Sequence, residues 1–91
     1  MCTYVTEKAE INGSGKGQNG WFKLTEARVY YDHPFHHPAD HTLNIDLINK
    51  SMGLDARVAV ELTEDSARAL VKAINAALEA GEFLHATNAA D

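Results

Sequence analysis

Between Thr42 and Leu62 apolar side chains recur at every second position, and at Thr63 the spacing changes to that of a helix. Leu43, Ile45 and Leu47 alternate with Asn44 and Asp46. Val58, Val60 and Leu62 alternate with Arg57 and Glu61. Period two is the pattern of a strand with one buried face. From Ala67 the apolar residues Leu70, Val71, Ile74, Ala77 and Leu78 follow at helical intervals and read as core, with Asp65, Arg68, Lys72, Asn75 and Glu79 opposite them. Thr63 suits an N-cap, Glu64 and Asp65 suit the positive end of the helix dipole, and Gly81 suits a C-terminal stop. The chain therefore has to pack strands against one C-terminal helix.

Two more strands precede these. Thr3 to Asn12 alternates, with Val5, Ala9 and Ile11 on one side. Trp21 to Tyr31 alternates as well, with a change of phase near Glu26 that reads as a bulge. The stretch from Gly13 to Gly20 holds four glycines in eight residues and reads as a mobile loop. Asp32 to His41 contains two prolines and reads as a second loop. Ser51 to Asp55 reads as a turn. The expectation is one α+β domain over residues 1–91: a four-stranded antiparallel sheet in the order β-β-β-β-α, with one helix on one face. The strands fall at about 3–12, 21–31, 42–49 and 56–62, the helix at about 64–80, and a tail follows from Glu82.

Size then matters. Four strands span roughly 15–19 Å, whereas a helix is ~10 Å across. One helix leaves part of the apolar face bare, and bare apolar surface or a sheet edge takes a partner. A homodimer is expected, with a monomer carrying a ligand groove on the open face as the alternative. Trp21 reads as core or dimer interface.

The formal charge of −5 and the lack of any Lys/Arg cluster argue against a nucleic-acid partner. No apolar run approaches the ~20 residues that span a bilayer, so no membrane partner is expected. A single cysteine, Cys2, and a first segment without a basic and apolar leader pattern fit a cytoplasmic protein.

Chemistry concentrates in Asp32-His33-Pro34-Phe35-His36-His37-Pro38-Ala39-Asp40-His41, which holds four of the five histidines. Residues before proline are pushed to extended conformations, so His33 and His37 are partly pre-set. Neutral imidazole is a common ligand for zinc, and suits copper, iron and nickel. If Tyr31 and Thr42 pair across the loop, His33 and His41 sit together at its base, and His36 or His37 supplies a third nitrogen. Three nitrogens plus water make an open, catalytic type of site, whose bound water is acidified. A divalent transition metal, zinc first, is the expected cofactor. Asp32 and Asp40 read as residues that orient the rings or as turn formers.

Two further readings compete. In one, a histidine such as His36 works without metal as general acid/base, oriented by Asp32 or Asp46. In the other, the domain binds a ligand or partner on its open face without catalysis. Asn44, Asp46, Arg57 and Glu61 point away from the helix and read either as cross-strand charge pairs or as groups lining that face. Tyr30 and Tyr31 read as packing residues. Cys2 reads as a small residue before a strand, or as a nucleophile or chelating group. Gly15-Lys16 fails the phosphate-loop pattern, because Glu10 stands where its first glycine should be and Gly17 follows the lysine. Lys16 on a flap over an anionic substrate is the weaker alternative. His85 is assigned no role.

The segments Met-Cys-Thr-Tyr-Val-Thr-Glu, Gly-Ser-Gly-Lys-Gly, Gly-Trp-Phe and Asp-His-Pro-Phe-His…His-x-Leu-Asn-Ile-Asp resemble a family of small uncharacterised proteins of high-GC soil bacteria. The resemblance runs through the helix and implies no activity. It implies that Cys2, the glycine stretch, His33, His36, His41 and Asp46 belong to a shared pattern that leaves His37 outside. The metal reading therefore settles on His33, His36 and His41, with His36, Asp46 and Asp32 as catalytic candidates and a small molecule as substrate.

Overall fold

The computed structural model describes residues 6–32, 41–53 and 55–87. Strand β1 covers Thr6–Gly17, β2 Gly20–Asp32, β3 Thr42–Ile48 and β4 Arg57–Leu62, and helix α1 covers Glu64–Thr87. The four strands form one antiparallel sheet in the order β1-β2-β3-β4. The helix returns over one face, and the class is α+β as expected. Residues 3–5 of the expected first strand lie outside the described residues.

The alternation read from the sequence appears directly in the register. Tyr31 faces Leu43, which faces Leu62; Val29 faces Ile45, which faces Val60. These rows share one side of the sheet. Arg28 faces Asp46, and Tyr30 faces Asn44, which faces Glu61, so the polar residues share the other side.

The glycine stretch corrects an expectation. It is not a loop: β1 runs on to Gly17, and only Gln18 and Asn19 form the turn. Gly20 closes that turn at φ 108°, a conformation in which a Cβ is strained. The other glycines serve close approach. A Cβ on Gly15 would lie 3.1 Å from Leu24 Cδ1, and one on Gly17 only 2.8 Å from Phe22 Cε1. The end of the hairpin also reaches β4, since the Val58 side chain and the Arg57 carbonyl are neighbours of these two glycines. Glycine thus lets a long hairpin curl over the sheet instead of loosening it. The register shift expected near Glu26 lies on the facing strand, between Glu10 and Gly13.

Between β3 and β4, Asn49 caps a short 3-10 turn, Lys50–Met52. Its side chain accepts from the Ser51 N–H and donates to the Lys23 carbonyl at 2.9 Å. Helix α1 starts as read: Thr63 Oγ1 accepts from the Ser66 N–H at 3.2 Å. It does not stop at Gly81 but continues to Thr87. Gly81 is not among the glycines with positive φ, so the backbone does not take the left-handed turn that ends a helix, and Glu82, Phe83 and Leu84 continue it.

The core is slight. Among the described residues only Leu24 and Ala56 are buried apolar side chains. Trp21, read as core or interface, is 71% exposed. The apolar stripe of α1, read as core, is corrected too: Leu70, Val71, Ile74 and Leu78 are all exposed, because the helix covers the sheet only through its first half and leaves a groove open beneath it. The helix lies over the sheet through its first half, and between them runs an apolar groove of about 420 Å³ whose floor includes Val29, Tyr31, Leu43 and Ile45.

Candidate functional site

Buried polarity marks the second face of the sheet. Glu26, Arg28, Tyr30 and Asp32 alternate along β2 on this side, and Thr42, Asn44 and Asp46 face them from β3. Four of these, Glu26, Asp32, Thr42 and Asn44, are buried, and Thr42 is 0% exposed. Buried polar groups need partners, and on this face they fall into clusters around Glu26, around Asp46 and around Thr42.

The first cluster centres on Glu26. Its carboxylate lies between the Arg28 guanidinium, which donates from Nε, and the Lys50 ammonium at 2.9 Å. Hydrogen bonds from Lys50 and then Arg28 hold the Glu26 carboxyl below the usual carboxylate range, against the opposing effect of burial. Stability from this site is therefore fully present at neutral pH. It is lost as pH falls from the ordinary glutamate value, about 4.3, through the lower folded one. Glu26→Gln should flatten that acid limb of the stability curve, measured by urea unfolding between pH 3 and pH 7; an unchanged limb would assign it to other carboxylates.

The second cluster centres on Asp46. Arg57 donates to Asp46 Oδ1 from Nε at 3.1 Å and from Nη2 at 2.9 Å, and the Tyr30 hydroxyl donates to Oδ2 at 3.1 Å. Burial raises the Tyr30 phenol above its ordinary range, the Asp46 charge adds to this, and Arg57 and Asn44 act the other way. Tyr30 is thus a neutral hydroxyl donor at physiological pH. Arg28, Asp46, Lys50 and Arg57 line a pocket of about 320 Å³ on this face. Asp46 is engaged by Arg57 and Tyr30, which favours the cross-strand pairing reading of its charge.

Where β2 and β3 part, Asp32 faces Thr42, and Thr42 Oγ1 donates to Asn44 Oδ1 at 2.6 Å. The His41 ring stacks on Tyr31, with centroids 5.5 Å apart and an interplanar angle of 8°. The Tyr31 hydroxyl donates to Glu64 Oε2 at 3.3 Å, which ties this corner to the first turn of α1. Tyr31 belongs to the helix side of the sheet and Asp32 to the polar side, so His41 stands on the helix side. Asp32 and Asp46 share the polar side, but the four residue steps from Thr42, which faces Asp32, to Asp46 separate them by roughly 13 Å.

His33, His36, His37 and Asp40 lie outside the described residues, as does Cys2. Among the described residues no group of three or more His, Cys, Asp or Glu could hold a metal ion. None of their helices is long and apolar enough to cross a membrane. The buried Glu26 with its two cations was not anticipated. Its signal was present in the sequence: Glu26 and Arg28 share a strand face at i and i+2.

The model of a family of unknown function, DUF6295, matches residues 1–88. No curated protein matches the chain, and no solved structure does.

Proposed function

Because the chain belongs to DUF6295, a family of unknown function, its activity has to be read from its own residues, and we propose that it is a small cytoplasmic metal-binding protein. In this reading His33, His36 and His41 hold a divalent transition metal, zinc first, and the site acts on a small molecule by hydrolysis or isomerisation. The metal would acidify a bound water and polarise an oxygen of the substrate. The chain's own part is to bring imidazoles together and to keep one of them fixed.

One observation carries the proposal. Asp32 and Thr42 are cross-strand partners, and the next pair inward is Tyr31 with Leu43. The two ends of the histidine-rich segment thus start from neighbouring positions, about 5 Å apart. His33 directly follows one end and His41 directly precedes the other. His41 is already held, by its stacking on Tyr31. A fixed ligand at the root of a proline-stiffened segment lowers the entropy lost when a metal is bound.

Elemental analysis of untagged protein, purified without added metal, tests the reading beside a His33→Ala/His41→Ala variant. About one equivalent of a transition metal per chain is expected, lost in the variant, because removing two of three ligands leaves no chelate. Absence of metal, with no uptake of zinc, copper, nickel or iron on titration, would end this reading. The histidines would then be acid/base groups without metal.

A further inference from the structure

We propose that the pocket between Arg28, Lys50 and Arg57 on the polar face of the sheet binds a phosphate group, as free phosphate or as the phosphate of a small monoester. These three cations line a cavity of about 320 Å³ together with Asp46, Ile48 and Gly53. That volume is at the small end of the roughly 300–1,000 Å³ of ligand pockets. The site does not rest on the metal reading. It lies on the polar side of the sheet, whereas His41 stands on the helix side.

The charges are layered, with the cations outermost. The Glu26 side chain is 8% exposed and that of Asp46 is 16% exposed, whereas Arg28, Arg57 and Lys50 are 40%, 49% and 64% exposed. A ligand arriving from solvent therefore meets positive charge first, with the carboxylates behind it. The carboxylates do not cancel the cations. Three cations share two of them, which leaves one positive charge in excess in a chain of formal charge −5. Lys8 and Glu10 of β1 face Arg28 and Glu26 and add one charge of each sign at the margin.

Donors also remain. A guanidinium carries five N–H groups. Arg28 gives only Nε to Glu26, and Arg57 gives Nε and Nη2 to Asp46. The terminal nitrogens of Arg28 and Nη1 of Arg57 are left for a ligand. Because the carboxylates already hold both arginines, little side-chain entropy is lost on binding. The direction of the donors selects the ligand. Arg28 comes from β2, Arg57 from β4 and Lys50 from the turn between β3 and β4, with β3 running between the two arginines. Donors from three sides suit the tetrahedral oxygens of a phosphate, whereas a carboxylate offers two oxygens in one plane.

NMR of the backbone amides and arginine Nε–H groups of the full chain, titrated at low salt with inorganic phosphate, glycerol phosphate or acetate, tests this. Saturable phosphate binding at about 1 mM is expected, from two or three charge-assisted hydrogen bonds, with shifts at Arg28, Lys50, Gly53 and Arg57. Acetate should bind about tenfold more weakly. Arg28→Gln and Arg57→Gln should each weaken phosphate binding by about tenfold. Lys72→Gln, which removes the same charge from an exposed position on α1, should not change it. Asp46→Asn keeps an acceptor for Arg57 and removes a negative charge, so it should tighten binding by about tenfold, a gain that a misfolded variant does not give. Tighter binding of glycerol phosphate than of inorganic phosphate identifies a monoester as the ligand; equal binding identifies free phosphate. No saturation by about 20 mM phosphate, acetate binding as tightly, or equal losses in Lys72→Gln and the arginine variants overturns the proposal. So does an Asp46→Asn protein that binds no more tightly than the wild type.

Discussion

Leu24→Ala should lower the unfolding free energy by about 3 kcal/mol, in the range found for leucine truncations in packed cores. Leu24 is 5% exposed, and only Ala56 accompanies it as a buried apolar side chain among the described residues. Its methyl groups lie under the backbone of Gly15, which approaches closely because it has no Cβ. The cavity left by alanine cannot collapse cheaply, since the strand above it is fixed by its pairing with β2. A domain of this size has about 5–15 kcal/mol of stability in all. The loss should lower the midpoint of thermal unfolding by roughly 15 °C. Trp21→Ala is the contrast. Although larger, that side chain is 71% exposed, and its removal should change stability by about 0.5 kcal/mol or less. Equal effects from the two would mean that the hairpin does not close on Leu24.

The difference between those residues shows what a sequence alone conceals. Leu24 and Trp21 look alike as apolar residues of one strand. Their burial depends on the curl of the β1-β2 hairpin towards β4, a contact between distant segments that depends on glycine's missing side chain. The glycine stretch was misread for the same reason. Glycine is read as freedom when only the local backbone is considered, but at Gly15 and Gly17 it is required by what packs against it. Features with a short period were legible. Alternation along β3 and β4 gave their faces, the Thr63 cap gave the helix start, and the size of one helix against four strands predicted uncovered apolar surface. The end of α1 was not legible, because a glycine signals a stop only when a left-handed conformation follows, and here helical geometry continues. At the candidate site, the closeness of the two ends of the histidine segment followed from the alternation, but Asp32 rather than Tyr31 faces Thr42, and the stacking of His41 on Tyr31 was not legible. Nor was the Lys50 contact to Glu26, since the turn between β3 and β4 brings that lysine back to β2.

A double-mutant cycle at Thr42 and Asn44 probes the root of the histidine segment. Thr42 is wholly buried and donates its hydroxyl proton to Asn44 Oδ1, itself on a residue only 2% exposed. Asn44→Ala removes the acceptor, leaves a buried hydroxyl without that partner, and opens a small cavity; a loss of about 2–3 kcal/mol is expected. Thr42→Val keeps the shape and removes the donor, at a loss of about 1–2 kcal/mol. The double variant should lose about 1 kcal/mol less than the two singles together, because the penalty of a stranded group is counted in each single but is absent from the double. Urea unfolding of the four proteins measures this coupling, and strict additivity would show that the 2.6 Å contact contributes nothing. The pair also bears on function. Thr42 follows His41 directly and faces Asp32, so loosening this corner loosens the position from which His41 is presented. If the metal reading holds, Asn44→Ala should retain the metal stoichiometry while weakening zinc affinity by about tenfold, the lower end of what loss of a group behind a ligand produces. Unchanged affinity in a destabilised Asn44→Ala protein would mean that the histidines bind independently of the sheet that carries them.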